Sequence, residues 1–335
     1  MNKLIDNFNI IAEIGVNHEG RLEKALELIY LAHDAGVGIV KFQSYTPKRF
    51  VAGNDVARIE RVTRFSLSEE NHMELAALCK KLGIAFMSTP VTEDWVNFLN
   101  PLCCAFKIAS GDITFKTVIQ DVAKTDKHIF LSTGAASVDE IDRAVLWVSD
   151  VVGKDNLANR LTLMHCVSAY PTPINEANIL AIPFLHDRYK LNIGYSNHVI
   201  GMSACLSAVA HGASAVEVHF TDQKEGREFR DHSLSFDAND LKLFVRLTKE
   251  IRQSLGVYGK PVQTCESQSV SLIRKGIVAA KNLKAGDVLT EDNLMYARPA
   301  TEFSALDMPN LLGKTINQDI TSGYIIPRNA VLCAE

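Results

Sequence analysis

Residues 191–221 read LNIGYSNHVIGMSACLSAVAHGASAVEVHFT, with the grammar of strand, helix, strand. Asn192–His198 is extended, the small-residue run Gly201–His211 suits a helix, and Ala215–Thr221 is extended again. A histidine stands at the carboxyl end of each strand, His198 and His219. Side chains alternate along a strand, so Ser196 shares a face with His198, and Glu217 with His219. If the two strands are parallel neighbours, two imidazoles and a carboxylate meet at one sheet edge, a candidate seat for a divalent cation. Two unrelated strand-end histidines are the alternative that this stretch alone leaves open.

Working outward, the same grammar recurs. Apolar runs fall near Asn9–Asn17, Ile39–Tyr45, Ala85–Val91, Ala105–Ser110, His128–Gly134 and Leu161–Val167, which with the two above makes eight. Amphipathic segments at Leu22–Ala35, Glu69–Leu82, Val138–Val151 and Asp237–Leu255 separate or follow them. Buried strands alternating with helices imply a parallel sheet covered on both faces. Eight units ending near residue 255 match a (β/α)8 barrel, whose usual size is about 250 residues. A doubly wound open sheet is the alternative; its dinucleotide-binding form is disfavoured because no GxGxxG follows the first strand.

Composition bounds the function classes. At 335 residues, 47% hydrophobic and 22% charged, the chain is an ordinary globular one with room for a barrel and an appendage. A net charge of -4 with no basic run predicts no nucleic-acid or anionic-membrane partner. The start, MNKLIDNFNIIAEIG, lacks the apolar core of a signal peptide, and no run is long enough to span a bilayer. Seven scattered cysteines without a CxxC pair suit a reduced, cytoplasmic protein.

Polar residues inside the strands carry the chemistry. In VKFQS, Lys41 and Gln43 share a face opposite Val40 and Phe42; in AFKIASGD, Lys107 sits between Phe106 and Ile108. Burying an ammonium costs several kcal/mol unless it is partnered. One such lysine could pair with Glu13 or Glu217; two near strand ends point to an anionic ligand. Phosphate suits the nearby hydroxyls of Ser110, Ser132 and Ser196. Glu13, Gly15 and Asn17 share a face of the first strand, and Thr89 ends the third before Pro90. Ser168, Tyr170 and Pro171 follow the sixth, within which His165 reads as a packed, hydrogen-bonded histidine. Asp231 and His232 lie in the loop EGREFRDHS after the eighth, either a place for acid–base chemistry or a solvated connection. Periodicity then stops: residues 256–270 read as a linker, and 271–335 as a small β-rich domain with turns at KAGD and TEDN.

The ordered motifs IIAEIGVNHEG, VKFQ, STP, KIASGD, LSTG, HC…YPTP, IGYSNH and EVHFT resemble those of the sialic acid (N-acetylneuraminate) synthases, better named nonulosonic acid synthases. The tail, with KAGDVLTEDNL and RP, resembles the antifreeze-like (SAF) domain of those enzymes. The resemblance covers essentially the whole chain. It implies a TIM barrel that condenses phosphoenolpyruvate with an N-acetylated aldose, N-acetylmannosamine or a diacetamido-trideoxyhexose. By the resemblance His198 and His219 bind manganese or magnesium; Lys41, Thr89, Lys107, Ser110, Ser132 and Ser196 surround phosphoenolpyruvate. Glu13, Tyr170, Glu217 and Asp231 take the catalytic roles, and Gln43, Asp112 and Ser168 face the sugar. Arg298 of the RP motif comes from the partner chain of a domain-swapped homodimer. Asp112, Ser168 and Asn197 depart from the family's glutamate, asparagine and aspartate, which leaves the sugar open. A Schiff-base aldolase using Lys41 or Lys107, or a non-enzymatic carbohydrate- or ice-binding protein, are the competing classes.

Overall fold

Eight strands close on themselves in a computed structural model that describes residues 8–227 and 229–332. They are β1 (Asn9–Gly15), β2 (Ile39–Ser44), β3 (Ala85–Pro90), β4 (Ala105–Ile108), β5 (His128–Ser132), β6 (Leu161–Cys166), β7 (Asn192–Asn197) and β8 (Ala215–His219). Each runs parallel to the next, and β8 returns to β1 through Glu13 opposite His219. Closure removes the open-sheet alternative. Each strand stops a residue or two before its apolar run does, because the last positions turn into loops; Gly15, at φ 55, makes that turn on β1.

Alternation along the strands builds the interior in layers. Ile11, Ile39, Met87, Ala105, Phe130, Met164 and Ala215 point inward and plug one end of the barrel. Their neighbours Ala12, Val40, Phe106 and Val216 point outward, into the core shared with the surrounding helices. Those helices start where the sequence supplies side-chain acceptors for free N–H groups. Ser68 opens Glu69–Leu82, Ser137 opens Val138–Val152 and Asp237 opens Ala238–Ser254, each with a reciprocal capping box. One layer further along, the inward positions are polar, and the candidate site begins there.

The chain divides into two compact units, Met1–Gly256 and Val257–Glu335. In the second, β9 (Gly276–Ala279) and β10 (Leu294–Ala297) pair antiparallel over a core of Ile277, Leu283, Leu289, Ile316 and Ile326. KAGD forms a turn closed by Asp287 N–H to the Lys284 carbonyl, and Thr290 caps the short turn Glu291–Asn293 within TEDN. Residues 256–269 are exposed but not featureless, since Thr264–Glu266 makes a 3-10 turn. Residues 1–7 and 333–335, which bear on the reading of the start and tail, lie outside the described residues, as does Glu228 of the loop after β8. Among the described residues no helix is long and apolar enough to cross a membrane, and six cysteines are free thiols.

Candidate active site

Above the apolar plug, Glu13, Lys41, Lys107 and Glu217 occupy inward positions at 2, 3, 3 and 5% exposure. Register sets Glu13 opposite Lys41 on β2, and Ser196 opposite Glu217 on β8. Lys41 Nζ lies 2.7 Å from Glu13 Oε2 and 3.7 Å from Glu217 Oε1, while Lys107 Nζ lies 3.4 Å from that same Glu217 oxygen. Both lysines therefore already have carboxylate partners, and the inference from two unpartnered ammoniums does not stand in that form. Burial pushes the Glu217 carboxyl up, but Lys107 and then Lys41 outweigh it and hold the group at about 2. Burial likewise opposes the Lys41 ammonium, yet Glu13 and Glu217 keep it above the ordinary lysine range.

Hydroxyls and an amide complete the floor. Lys41 donates to Thr89 Oγ1 at 3.2 Å, Gln43 Nε2 to Glu13 Oε1 at 2.9 Å, and Ser196 to Glu217 Oε1 at 3.1 Å. The Gly134 N–H donates to Ser110 Oγ at 3.0 Å. A Cβ at Gly134 would meet Ser168 Oγ at 2.3 Å and Ser110 Oγ at 2.7 Å, so only glycine lets these hydroxyls close on the backbone. Ser132 Oγ and Glu217 Oε2 are buried without a hydrogen-bond partner among the described residues. Buried polar atoms are seldom left so, and a ligand in the cavity would satisfy them.

At the sheet edge, His198 and His219 lie with ring centroids 5.3 Å apart, and the Tyr170 ring lies tilted against His198 with centroids 3.9 Å apart. The carboxylate beside His219 is Asp231, whose Oδ2 is 3.9 Å from His219 Nδ1, while Glu217 Oε1 is turned to the lysines. Asp231 and His232 are buried in the short helix Asp231–Leu234, so this part of the β8 loop is not a solvated connection. His198 Nδ1 is 2.7 Å from the Val167 carbonyl. A carbonyl only accepts, so Nδ1 carries the hydrogen and Nε2 keeps its lone pair. Burial, then His219, lowers the His198 imidazole to about 3, so it is neutral at ordinary pH. Among the described residues no three His, Cys, Asp or Glu side chains converge as a metal-binding set. Two imidazole side chains at the edge still fit a borderline divalent cation that draws its other ligands from water and substrate. Asn197, before His198, accepts the Val199 N–H at 3.1 Å and donates to the Val199 carbonyl at 2.8 Å. An aspartate could not make the second bond. His165 donates within its own neighbourhood, 2.8 Å from the Ala177 carbonyl, as a packed histidine does.

One cavity of about 1530 Å³ unites these groups, and Asp112 and Ser168 line it with them. Burial raises the Asp112 carboxyl to about 6 against the opposing pull of Lys107. Every residue that the resemblance assigned to the site lines this cavity except Arg298, which is exposed at the end of β10 in the second unit. Sequence reading missed the rest of the lining: Cys166, an apolar wall with Tyr45, Phe50, Val62, Phe65 and Phe229, and the arginines Arg58, Arg61, Arg64, Arg227 and Arg230. The signal was the length of chain between β2 and Glu69, which holds an extra helix, Val56–Phe65, at the carboxyl face.

Comparison with known proteins agrees with this geometry. Residues 28–260 match the model of the NeuB family and residues 274–332 that of the SAF domain. The chain is 36% identical to the N,N'-diacetyllegionaminic acid synthase of Campylobacter jejuni, over 95% of this chain and 98% of that one. It is 29% identical to a pseudaminic acid synthase of the same species, over 95% and 97%. The crystal structure of the N-acetylneuraminic acid synthetase of Leptospira borgpetersenii, in complex with citrate, superposes with a TM-score of 0.74 at 32% identity, covering 79% of this chain and 91% of that one. A closed barrel with buried lysine–glutamate pairs on its floor and histidines at its edge, followed by a small β unit, thus belongs to the NeuB family and ends in a SAF domain.

Proposed function

We propose that this protein condenses phosphoenolpyruvate with an N-acetylated aldose, N-acetylmannosamine or a diacetamido-trideoxyhexose, releasing phosphate and a nonulosonic acid. The observation that carries the reading is the meeting of Lys41, Lys107 and the two strand-end histidines in one cavity of a NeuB-family barrel. The relatives named for legionaminic and pseudaminic acids support a nine-carbon sugar acid as product.

Lys41 and Lys107, with Ser110, Ser132 and Ser196, hold the phosphate and carry C3 of the enol to the aldehyde carbon, a contribution of proximity and orientation. The enol π electrons form the C3–C1 bond while the aldehyde oxygen takes up charge. Tyr170, whose phenol burial keeps protonated, donates toward that oxygen. Water then adds to the cationic C2, and the tetrahedral centre expels phosphate. Glu217, held ionised, and Glu13 orient the water rather than act as strong bases. Asp231, beside His219, takes up or delivers a proton at the sugar. His198 and His219 would hold manganese or magnesium, which when bound polarises the aldehyde. Gln43, Asp112 and Ser168 contact the sugar. A domain-swapped homodimer, with Arg298 reaching the partner's sugar, and a cytoplasmic location complete the proposal; free thiols are in keeping with the latter.

The Schiff-base alternative requires a neutral lysine, and the carboxylates beside Lys41 disfavour one. Phosphate release, followed with phosphoenolpyruvate and a panel of N-acetylated aldoses, tests the proposal. Turnover should vanish with chelator and return with manganese. Full activity after complete metal removal, or borohydride trapping of a lysine adduct with pyruvate, would overturn it.

A further inference from the structure

The cavity's positive charge is unevenly compensated. On the floor two lysines meet two glutamates. Around the mouth Arg21 lies 3.4 Å from Glu19, Arg227 2.6 Å from Asp222 and Arg230 3.4 Å from Asp231. The helix Val56–Phe65 differs: Arg58, Arg61 and Arg64, spaced three residues apart, all line the cavity. None of the three makes an ion pair with a carboxylate among the described residues. The acids of that segment do not serve them. Asp55 Oδ1 is committed to the Arg58 backbone N–H at the helix start, and Glu60 does not line the cavity. Arg58 Cζ lies 5.5 Å from the Phe50 ring centre and Arg64 Cζ 4.8 Å from that of Phe65, so both guanidiniums rest on the apolar wall.

From this we infer that Arg58, Arg61 and Arg64 form a second oxyanion-recognising element, separate from the floor, that binds a phosphate or carboxylate of a substrate. Guanidinium stays charged at every working pH and offers a fixed fork of donors to such groups. Three of them on one wall of a concave site focus the field where a ligand enters. The inference rests on the proposed function, and the oxyanion has two possible sources. It is either an acidic substituent on the aldose, remote from the aldehyde, or phosphoenolpyruvate on its way to the lysines.

The test compares the full-length wild type with the triple variant Arg58→Gln, Arg61→Gln, Arg64→Gln. Glutamine keeps nearly the helix propensity of arginine, and all three positions are exposed, so the fold should persist; circular dichroism checks it. Phosphate release is measured with N-acetylmannosamine and with its 6-phosphate, at low ionic strength and at about 0.15 M. If the aldose carries the anion, the kcat/KM preference for the 6-phosphate falls about tenfold or more in the variant. If phosphoenolpyruvate is the ligand, its KM rises about tenfold with either aldose, and the wild-type salt dependence flattens in the variant. Unchanged preference, KM and salt dependence together overturn the inference. Calorimetric titration with inorganic phosphate needs no turnover: the variant should lose a salt-sensitive binding phase that the wild type has, and identical isotherms also overturn the inference. Absence of turnover with every aldose, beside such a lost phase, would sink the proposed reaction and leave the rim site standing.

Discussion

Glu217 compensates two ammonium groups at once, with Lys107 and Lys41 3.4 and 3.7 Å from one of its oxygens. Period-two alternation was enough to turn Lys41 and Gln43 to the same side of β2. It could not say which carboxylate lies across the barrel, because that depends on how eight strands stagger when they close. Asp112 shows the same limit, since its burial comes from neighbours distant in sequence. Its carboxyl, raised to about 6 by burial against the pull of Lys107, yields a pH prediction. Between the ordinary aspartate value of about 4 and that raised value, the native state holds a proton the unfolded chain has lost. Stability therefore falls as pH rises through this window. The full linkage is at most about 3 kcal/mol; partial exposure reduces it to roughly 1–2 kcal/mol. Asp112→Asn should accordingly be more stable than wild type by that amount at pH 7.5 and gain almost nothing at pH 4, read from denaturant midpoints. An equal gain at both values would show that burial of the charge is not the cause.

At the scale of elements, the strands were legible and the loops were not. The eight apolar runs coincide with β1–β8 because strands buried on both faces need continuous apolar sequence. The helix Val56–Phe65 leaves little apolar periodicity, because its ten residues carry four charges and only two buried side chains, Val62 and Phe65. The loop after β5 is the element to test. Gly134 presents its N–H to Ser110, and a methyl there would drive into the Ser168 and Ser110 hydroxyls. Gly134→Ala should raise the KM for phosphoenolpyruvate about tenfold or more, since small displacements of a positioning group are costly. The strands lie below this loop, so the far-ultraviolet spectrum should not change. An unchanged KM would place the phosphate seat elsewhere.

For the whole molecule the prediction concerns the proposed dimer. Arg298 lies in the second unit, whose core is small for independent stability. In the proposed dimer each barrel receives Arg298 from the other chain. Co-expression of Arg298→Ala with Lys107→Ala should then restore activity that neither variant has alone. One barrel of each mixed dimer keeps Lys107 and receives an intact arginine. Mixed dimers as inactive as both parents, or an active monomer in sedimentation, would exclude the shared site.

By itself the sequence determined the eight strands, their alternation with helices, the appended β unit and which strand positions are polar. These follow from local periodicity and from motifs contiguous in the chain, as with Lys107 between Phe106 and Ile108. Only the tertiary structure decided that Lys41 meets Glu13 and both lysines meet Glu217, that Asp231 lies beside His219, and that among the described residues the arginines of the helix Val56–Phe65 make no ion pair. Those outcomes depend on barrel stagger and loop placement, which join residues up to 110 positions apart in the case of Lys107 and Glu217. No local pattern encodes a distance of that kind.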